Sequence, residues 1–165
     1  MPNTAIVLRT AIETDVPAIL ELIEALADYE RMRDECVATD AALRATLFGA
    51  APKAEVILAE TSGGDVAGFA LFCSNYSTFL AQPGLWLEDL FVKPQFRGLG
   101  IGKHLLAHLA RLAVERDCGR VEWAVLDWNA PSIGFYESLG ARGMTEWTTY
   151  RLTGDAMTTL AASEA

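Results

Sequence analysis

The sequence predicts a mixed α/β (α+β) protein in which a mostly antiparallel central sheet is flanked by helices. Two apolar runs, residues 55–60 and 66–72, are separated by a Ser-Gly-Gly-Asp turn at 62–65, which is typical of an antiparallel hairpin. Further along, an apolar run at 85–92 precedes a glycine-rich turn, a helical pattern and another apolar run at 121–126. This second arrangement predicts a parallel β–α–β unit, so the sheet should contain both kinds of pairing.

The first part of the chain predicts a short strand and two helices. Residues 6–9 form an apolar run that is expected to be the first strand. A helix capped by Thr14 or Asp15 should follow, because its apolar residues keep a 3.6-residue period up to Tyr29. A second and shorter helix is expected over residues 39–49.

The remaining segments predict loops, a further helix and a final strand region. Residues 74–84 are rich in turn formers and are expected to be a loop that leads into the strand at 85–92. Beyond the β–α–β unit, a helix capped by Asn129 should end at Gly140. One or two strands over residues 145–152 and a short closing helix are expected to complete the chain.

Length and charge limit the possible classes of function. The 165 residues are 52% hydrophobic, which is sufficient for the core of one globular domain spanning residues 1–165. The net charge of −9 argues against a nucleic-acid partner, because nucleic-acid backbones favour basic surfaces. The sequence shows neither a secretion signal nor a long apolar run, so we expect a cytoplasmic protein without membrane association.

No metal site is expected from the histidines and cysteines. His104 and His108 stand four residues apart on a predicted helix, a spacing that can hold a metal ion. No glutamate or cysteine accompanies them in a suitable pattern, so surface histidines are the better interpretation. The three cysteines are far apart and odd in number, which favours free thiols.

The stretch Arg97-Gly98-Leu99-Gly100-Ile101-Gly102 predicts an anion site between a strand and a helix. The first N–H groups of a helix lack intrahelical acceptors and carry the positive end of the helix dipole. Glycines let the backbone approach a phosphate closely. Three alternatives remain: a P-loop, although its glycine spacing here is one residue short; a dinucleotide-binding turn, although the third glycine comes one residue early; and a turn that binds nothing.

Two acids interrupt the apolar strand at 85–92. Adjacent strand residues point to opposite faces, so Glu88 and Asp89 are expected on different sides of the sheet. The expected faces are Trp86, Glu88, Leu90 and Val92 on one side, and Leu85, Leu87, Asp89 and Phe91 on the other. Each carboxylate fits either a structural hydrogen bond or a cleft in which it meets an amine.

Two tyrosines are candidates for chemistry or binding. Tyr136 lies on the helix that follows Asn129, where an aromatic side chain fits a core but a phenol can also protonate a departing thiolate. Tyr29 and Glu30 end the first predicted helix. An acid at a helix C-terminus gains nothing from the dipole, so this pair is either a solvated helix end or part of a binding site.

Together these segments resemble the GNAT superfamily of acetyl-CoA-dependent N-acetyltransferases. More narrowly, the chain resembles the diamine (spermidine/spermine) N-acetyltransferase branch, including its thialysine-acetylating relatives. The resemblance covers nearly the whole chain and implies a GNAT-like fold, acetyl-CoA as co-substrate and a homodimer. The segments that carry it are residues 26–30, 87–92, 97–102, 127–136, 139–141 and 150–152.

The resemblance implies roles for the matched positions. The backbone of the 90–92 segment would pair with the pantetheine arm, the glycine turn would hold the pyrophosphate, and the start of the helix after Asn129 would meet the coenzyme from the other side. The expected coenzyme-binding residues are Leu90, Phe91, Val92, Arg97, Gly98, Leu99, Gly100, Ile101, Gly102, Lys103, Asn129, Ala130, Pro131 and Ser132.

The resemblance also implies the catalytic and amine-binding residues. Tyr136 would protonate the thiolate as general acid, and Glu88 would help to deprotonate the amine, directly or through water. Tyr29, Glu30 and Glu88 would bind the amine of a polyamine, a diamine or a lysine-like amino acid. A protein or peptide N-acetyltransferase and a non-catalytic acyl-CoA-binding domain remain as alternatives.

One departure from the branch bears on the substrate. Thr78 and Thr148 stand where the diamine enzymes carry acids that meet the distal amine. The choice of amine therefore stays open at the level of the sequence.

Overall fold

The structure is a computed structural model that describes residues 5–163. The described chain divides into two compact units at the junction between Ala124 and Val125. The single domain expected over residues 1–165 stays a prediction, and its ends, residues 1–4 and 164–165, lie outside the described residues.

The first unit is built on a five-stranded sheet with the strands in chain order. Neighbouring strands are antiparallel from the first to the fourth, whereas the fourth and fifth are parallel. The predicted fold class, a mixed sheet with a parallel β–α–β unit, is therefore confirmed. The strands are β1 (Ile6–Thr10), β2 (Glu55–Thr61), β3 (Val66–Ser77), β4 (Gln82–Val92) and β5 (Val121–Trp123).

Helices cover both faces of this sheet. One face packs against α1 and α2 through a core that includes Ile19, Leu22 and Phe69. The other face packs against α3 through a core that includes Phe72 and Leu105. The helices are α1 (Val16–Glu30), α2 (Asp40–Leu47) and α3 (Ile101–Glu115) in the first unit, and α4 (Ala130–Ser138) and α5 (Gly154–Ala162) in the second.

The start of α1 is held by an ion-pair network rather than by a side-chain cap. Asp15 is the N-cap residue, but its carboxylate accepts hydrogen bonds from Arg9 and from the N–H of Ile12. The same arginine donates to Glu60 at 2.6 Å. Arg9 of β1 therefore connects β2 to the beginning of α1.

The loop predicted over residues 74–84 is wrong, because β3 and β4 continue into it as one long hairpin. Asn75 pairs with Gly84 across the ladder, and its side-chain amide donates to Glu122 of β5 at 3.1 Å. A β-carbon at Gly84 would lie 2.3 Å from the Asn75 Oδ1 atom, so a larger residue there would displace the Asn75 side chain. Cross-strand pairing thus overrides the turn propensity of the segment.

The second unit contains two of the predicted elements and lacks a third. α4 begins after Asn129 and ends before Gly140, as predicted, and α5 is the expected closing helix. The strand prediction for residues 145–152 is wrong, because this segment is irregular and its Trp147 N–H bonds back to the Met144 carbonyl at 3.1 Å. A strand needs a partner backbone, and this local turn takes up the hydrogen-bonding group instead.

No helix among residues 5–163 combines the length and the apolar character that crossing a lipid bilayer requires.

Candidate active site

A β-bulge in β4 determines the direction of the side chains in the candidate site. Leu71 of β3 pairs with Asp89, but the next residue, Phe72, pairs with Leu87. Glu88 is therefore an extra residue in β4 without a partner in the register. A bulge of this kind shifts the side-chain alternation by one position.

The predicted faces of β4 are wrong because they assumed unbroken alternation. Before the bulge, Leu85 and Leu87 pack in the core beneath α3; after it, Leu90 and Val92 pack against the same core. Phe91 instead belongs to the core beneath α1. By alternation Asp89 shares the side of Phe91, and so it faces away from the leucines with which it was grouped.

Glu88 is exposed and is oriented by a neighbouring indole. Its Oε2 atom accepts a hydrogen bond of 2.7 Å from Nε1 of Trp86. Burial raises the pKa of the nearby Cys73 thiol, and the negative charge of Glu88 raises it further. The bulge thus presents a carboxylate to solvent in a defined orientation.

Asp89, which the sequence interpretation weighed but did not assign to the site, has a perturbed carboxyl group. Its pKa is raised to about 6, first by its burial and then by the negative charges of Glu88 and Glu30. Burial also raises the pKa of Glu30 at the end of α1. Three carboxylates therefore lie in one neighbourhood, in which the ionised forms of Asp89 and Glu30 are disfavoured, and a bound cation such as an ammonium group would favour those forms.

The end of α1 brings Tyr29 and Glu30 to this neighbourhood. The helix ends because Arg31 has φ of 62°, a left-handed conformation, and the Met32 N–H bonds back to the Ala27 carbonyl at 2.8 Å. The Tyr29 ring lies 6.4 Å from the ring of Phe91. These two predicted substrate-binding residues are thus next to β4.

The glycine turn before α3 has the geometry of an open anion cradle. Gly98 and Gly100 have φ of 79° and 76°, in the left-handed region that favours glycine. A β-carbon on either residue would meet no protein atom within 4 Å, so the space beside the turn is open. Gly100 is the N-cap of α3 and supplies no side-chain cap, and the first N–H groups of the helix have no intrahelical acceptor. Phosphate oxygens fit this cradle.

The end of β4 has an unpaired edge within the described part of the first unit. β5 pairs only with the stretch from Leu85 to Leu87, whereas β3 continues alongside β4 as far as Val92. The backbone of residues 90–92 is therefore bordered by a strand on one side only. An extended ligand with amide groups could pair with this edge as an added strand.

In the second unit, the predicted coenzyme-contacting residues form the first turn of α4. Asn129 is buried and caps the helix, since its Oδ1 atom accepts from the Ser132 N–H at 3.3 Å. Ala130 and Pro131 begin the helix, in agreement with the position that proline favours. Tyr136 follows on the same helix, half-buried, with its ring 5.3 Å from that of Phe135.

Replacing Asp89 with asparagine should stabilise the protein at pH 8. The ordinary pKa of an aspartate is 3.8, and the pKa of Asp89 in the folded protein is about 6. Between pH 3.8 and about pH 6, folded Asp89 therefore keeps a proton that the unfolded chain releases. The free energy of unfolding of the wild type falls as the pH rises through this window. The shift corresponds to at most about 3 kcal/mol, and the amide has nothing to ionise. Urea unfolding should show mutant and wild type nearly equal at about pH 4 and the mutant more stable at pH 8.

The control for this prediction is Asp117→Asn at an exposed position on the same unit. Its effect on the free energy of unfolding gives the baseline at each pH, and the advantage of Asp89→Asn should exceed that baseline at pH 8. An Asp89→Asn variant whose advantage does not grow with pH would contradict the assignment of a raised pKa to Asp89.

Comparison with known proteins identifies the family. The sequence model of the acetyltransferase (GNAT) family matches residues 20–141. A thialysine N-epsilon-acetyltransferase of Bos taurus is 39% identical, over 94% of this chain and 97% of its own length. An L-ornithine N5-acetyltransferase of Arabidopsis thaliana is 37% identical, over 91% of this chain and 85% of its own.

A solved structure agrees with these sequence relatives. An integron cassette protein from the mobile metagenome of V. cholerae superposes with a TM-score of 0.80 at 26% identity, and the match covers 96% of this chain and 98% of that one. The predicted resemblance to the diamine and thialysine branch is confirmed by the similarity to thialysine acetyltransferases and to a human spermidine/spermine N(1)-acetyltransferase-like protein, which is 32% identical. The chain belongs to the GNAT family and is an N-acetyltransferase of that family.

Proposed function

We propose that this enzyme transfers an acetyl group from acetyl-CoA to the primary amine of a small molecule, either a polyamine, a diamine or a lysine-like amino acid. The observation that carries the proposal is the group of three carboxylates, Glu30, Glu88 and Asp89, beside the open end of β4. The relatives named for thialysine and L-ornithine support a lysine-like amino acid within this class.

Acetyl-CoA is the co-substrate of GNAT acetyltransferases, and the residues of the first unit fit it. The N–H groups from Gly98 to Lys103 would hold the pyrophosphate, because the turn is open and the start of α3 lacks a side-chain cap. The edge of residues 90–92 would pair with the amides of the pantetheine arm. The resemblance implies that residues 129–132 also contact the pantetheine arm.

The carboxylates would bind and prepare the amine. An alkylamine has a pKa near ~10.4 in water, so it arrives as a cation. Glu30 and Asp89 would attract this cation, since both are disfavoured as unpaired anions. Glu88, which the Trp86 indole holds in place, would accept a proton from the ammonium group directly or through a water molecule.

The transfer step then needs a proton for the leaving group. The neutral amine nitrogen bonds to the thioester carbonyl carbon, the carbon–sulfur bond breaks, and the sulfur leaves with the electron pair. Tyr136 would donate its phenolic proton to that sulfur and recover one from solvent, while the amide product releases its second amine proton. A backbone N–H of β4 would stabilise the oxyanion.

The homodimer expected from the resemblance and the cytoplasmic location remain predictions. Two alternative functions are tested against the proposal: a peptide N-acetyltransferase and a non-catalytic acyl-CoA-binding domain.

Gly100→Val should weaken acetyl-CoA binding. A β-branched residue resists the left-handed φ at this position and fills the open side of the cradle. We expect calorimetry to show at least roughly a tenfold loss of acetyl-CoA affinity in a folded variant. The matched control is Gly64→Val, which imposes the same backbone strain at φ of 87° in the turn between β2 and β3. Equal affinities for the two variants would contradict the placement of the pyrophosphate.

Tyr136→Phe should reduce kcat without changing acetyl-CoA affinity. The change keeps the ring and removes only the proton donor, so kcat should fall on the order of 10²-fold. Tyr76→Phe, at an exposed position of β3, provides the control and should behave like wild type. A kcat within about twofold of wild type for Tyr136→Phe would return this residue to a packing role.

The substrate class is tested by measuring kcat/KM for a panel of amines. The panel contains spermine, spermidine, L-ornithine, thialysine, an aminoglycoside and a lysine-containing peptide. Because Thr78 and Thr148 lack the charge to bind a distal cation, we expect kcat/KM to be highest for a short amine or a lysine-like amino acid. Glu30→Gln should lower kcat/KM for these amines by removing the anion while keeping the size of the side chain.

The panel also separates the alternatives. A spermine value tenfold above every short amine would mean that other residues replace the missing acids. Preference for the peptide would favour the protein acetyltransferase, and acetyl-CoA binding without coenzyme A release would favour a binding domain. An unchanged kcat/KM in Glu30→Gln would make Glu30 an ordinary helix end.

A further inference from the structure

The side chain of Arg97, the residue before the glycine turn, lies against the end of β4 and the end of α1. Its Nε atom donates to the carbonyl of Val92, the last residue of β4, at 3.0 Å. Its guanidinium carbon lies 4.9 Å from the ring centroid of Tyr29 and 5.6 Å from that of Phe91. Arg97 therefore contacts β4 and the end of α1 at the same time.

Arginine can make both of these contacts at once more readily than lysine can. A planar guanidinium can lie against an aromatic face while its edge donates hydrogen bonds. Within the described residues Arg97 has no ion pair, although the chain carries 22 acids against 13 lysines and arginines. Its Nη groups therefore keep donors that a phosphate on the turn can accept.

Tyr29 connects this arginine to the amine-binding region. It directly precedes Glu30, whose pKa is raised by burial and whose charge acts on Asp89. The left-handed Arg31 and the bond from Met32 to Ala27 terminate α1 at this point. Tyr29 and Glu30 therefore belong to the same last turn of α1, which the Met32 bond closes.

We infer that Arg97 is a positioning residue that couples occupancy of the glycine turn to the geometry of the amine site, through its contact with Tyr29. The inference rests on the proposed function and adds to it: acetyl-CoA on the turn fixes Arg97, and Arg97 fixes the helix end that carries Glu30. Coenzyme and amine then bind with positive coupling, which must be reciprocal.

The first test compares Arg97→Met with Lys103→Met, which removes a cation from the same turn without a contact to Tyr29. Arg97→Met should raise KM for the best amine of the panel at saturating acetyl-CoA by roughly fivefold or more, with a smaller change in kcat. Lys103→Met should change the KM for acetyl-CoA and leave the KM for the amine as it is in the wild type. Arg97→Lys, which keeps the charge, should fail to restore the amine KM, and Tyr29→Leu combined with Arg97→Met should be no worse than either change alone.

The second test needs no amine and separates the inference from the proposed function. Coenzyme A binding should slow amide hydrogen exchange at Arg31 and Met32 in the wild type, because their N–H groups close the last turn of α1. The slowing should be lost in Arg97→Met at a coenzyme A concentration that saturates it. Equal slowing in both proteins, or none in the wild type, would overturn the coupling. A wild type that shows the slowing but acetylates no amine would refute the proposed function alone.

Discussion

The one-residue bulge at Glu88 is the constraint on which the candidate site depends. Without it, β4 would keep one alternation over its whole length, and either the leucines before Glu88 or Leu90 and Val92 after it would leave the core beneath α3. With it, both pairs stay buried, Glu88 becomes an exposed carboxylate, and Asp89 turns toward α1. The apolar packing of the sheet and the polar chemistry of the site are thus two results of the same irregularity.

The site concentrates negative charge where protein groups do not neutralise it. Three acids elsewhere in the first unit are paired: Asp15 and Glu60 with Arg9, and Glu55 with Arg116. Burial raises the pKa of Asp89 to about 6, and the neighbouring negative charges of Glu88 and Glu30 add to the effect of burial. Pairing lowers the pKa of Asp15 and Glu55, so the contrast lies within one sheet and follows from the partners rather than from burial alone.

The features that the sequence predicts correctly are local ones. Examples are the glycine turn before α3, the Asn129 cap and the end of α4 at Gly140. Each depends on residues within one turn of the chain, so the residue types alone are sufficient to predict it. The bulge, the face of Asp89 and the strand character of residues 74–77 depend on which residue stands opposite on β3 or β4, and spacing along one strand cannot show this. The irregular segment 145–152 has the composition of a strand, but a strand also needs a partner backbone.

The contact between Asn75 and Gly84 restricts how these two positions can vary over evolution. Any β-carbon at position 84 would overlap the Asn75 side chain at 2.3 Å and crowd the Arg120 carbonyl at 3.2 Å. A larger residue at 84 therefore requires the Asn75 side chain to move or to be replaced by a smaller one, and either change disturbs the amide that bonds Glu122. The two substitutions are non-additive, so the order in which they arise matters. In the hairpin that leads into β4, the effect of a substitution at position 84 thus depends on the residue at position 75.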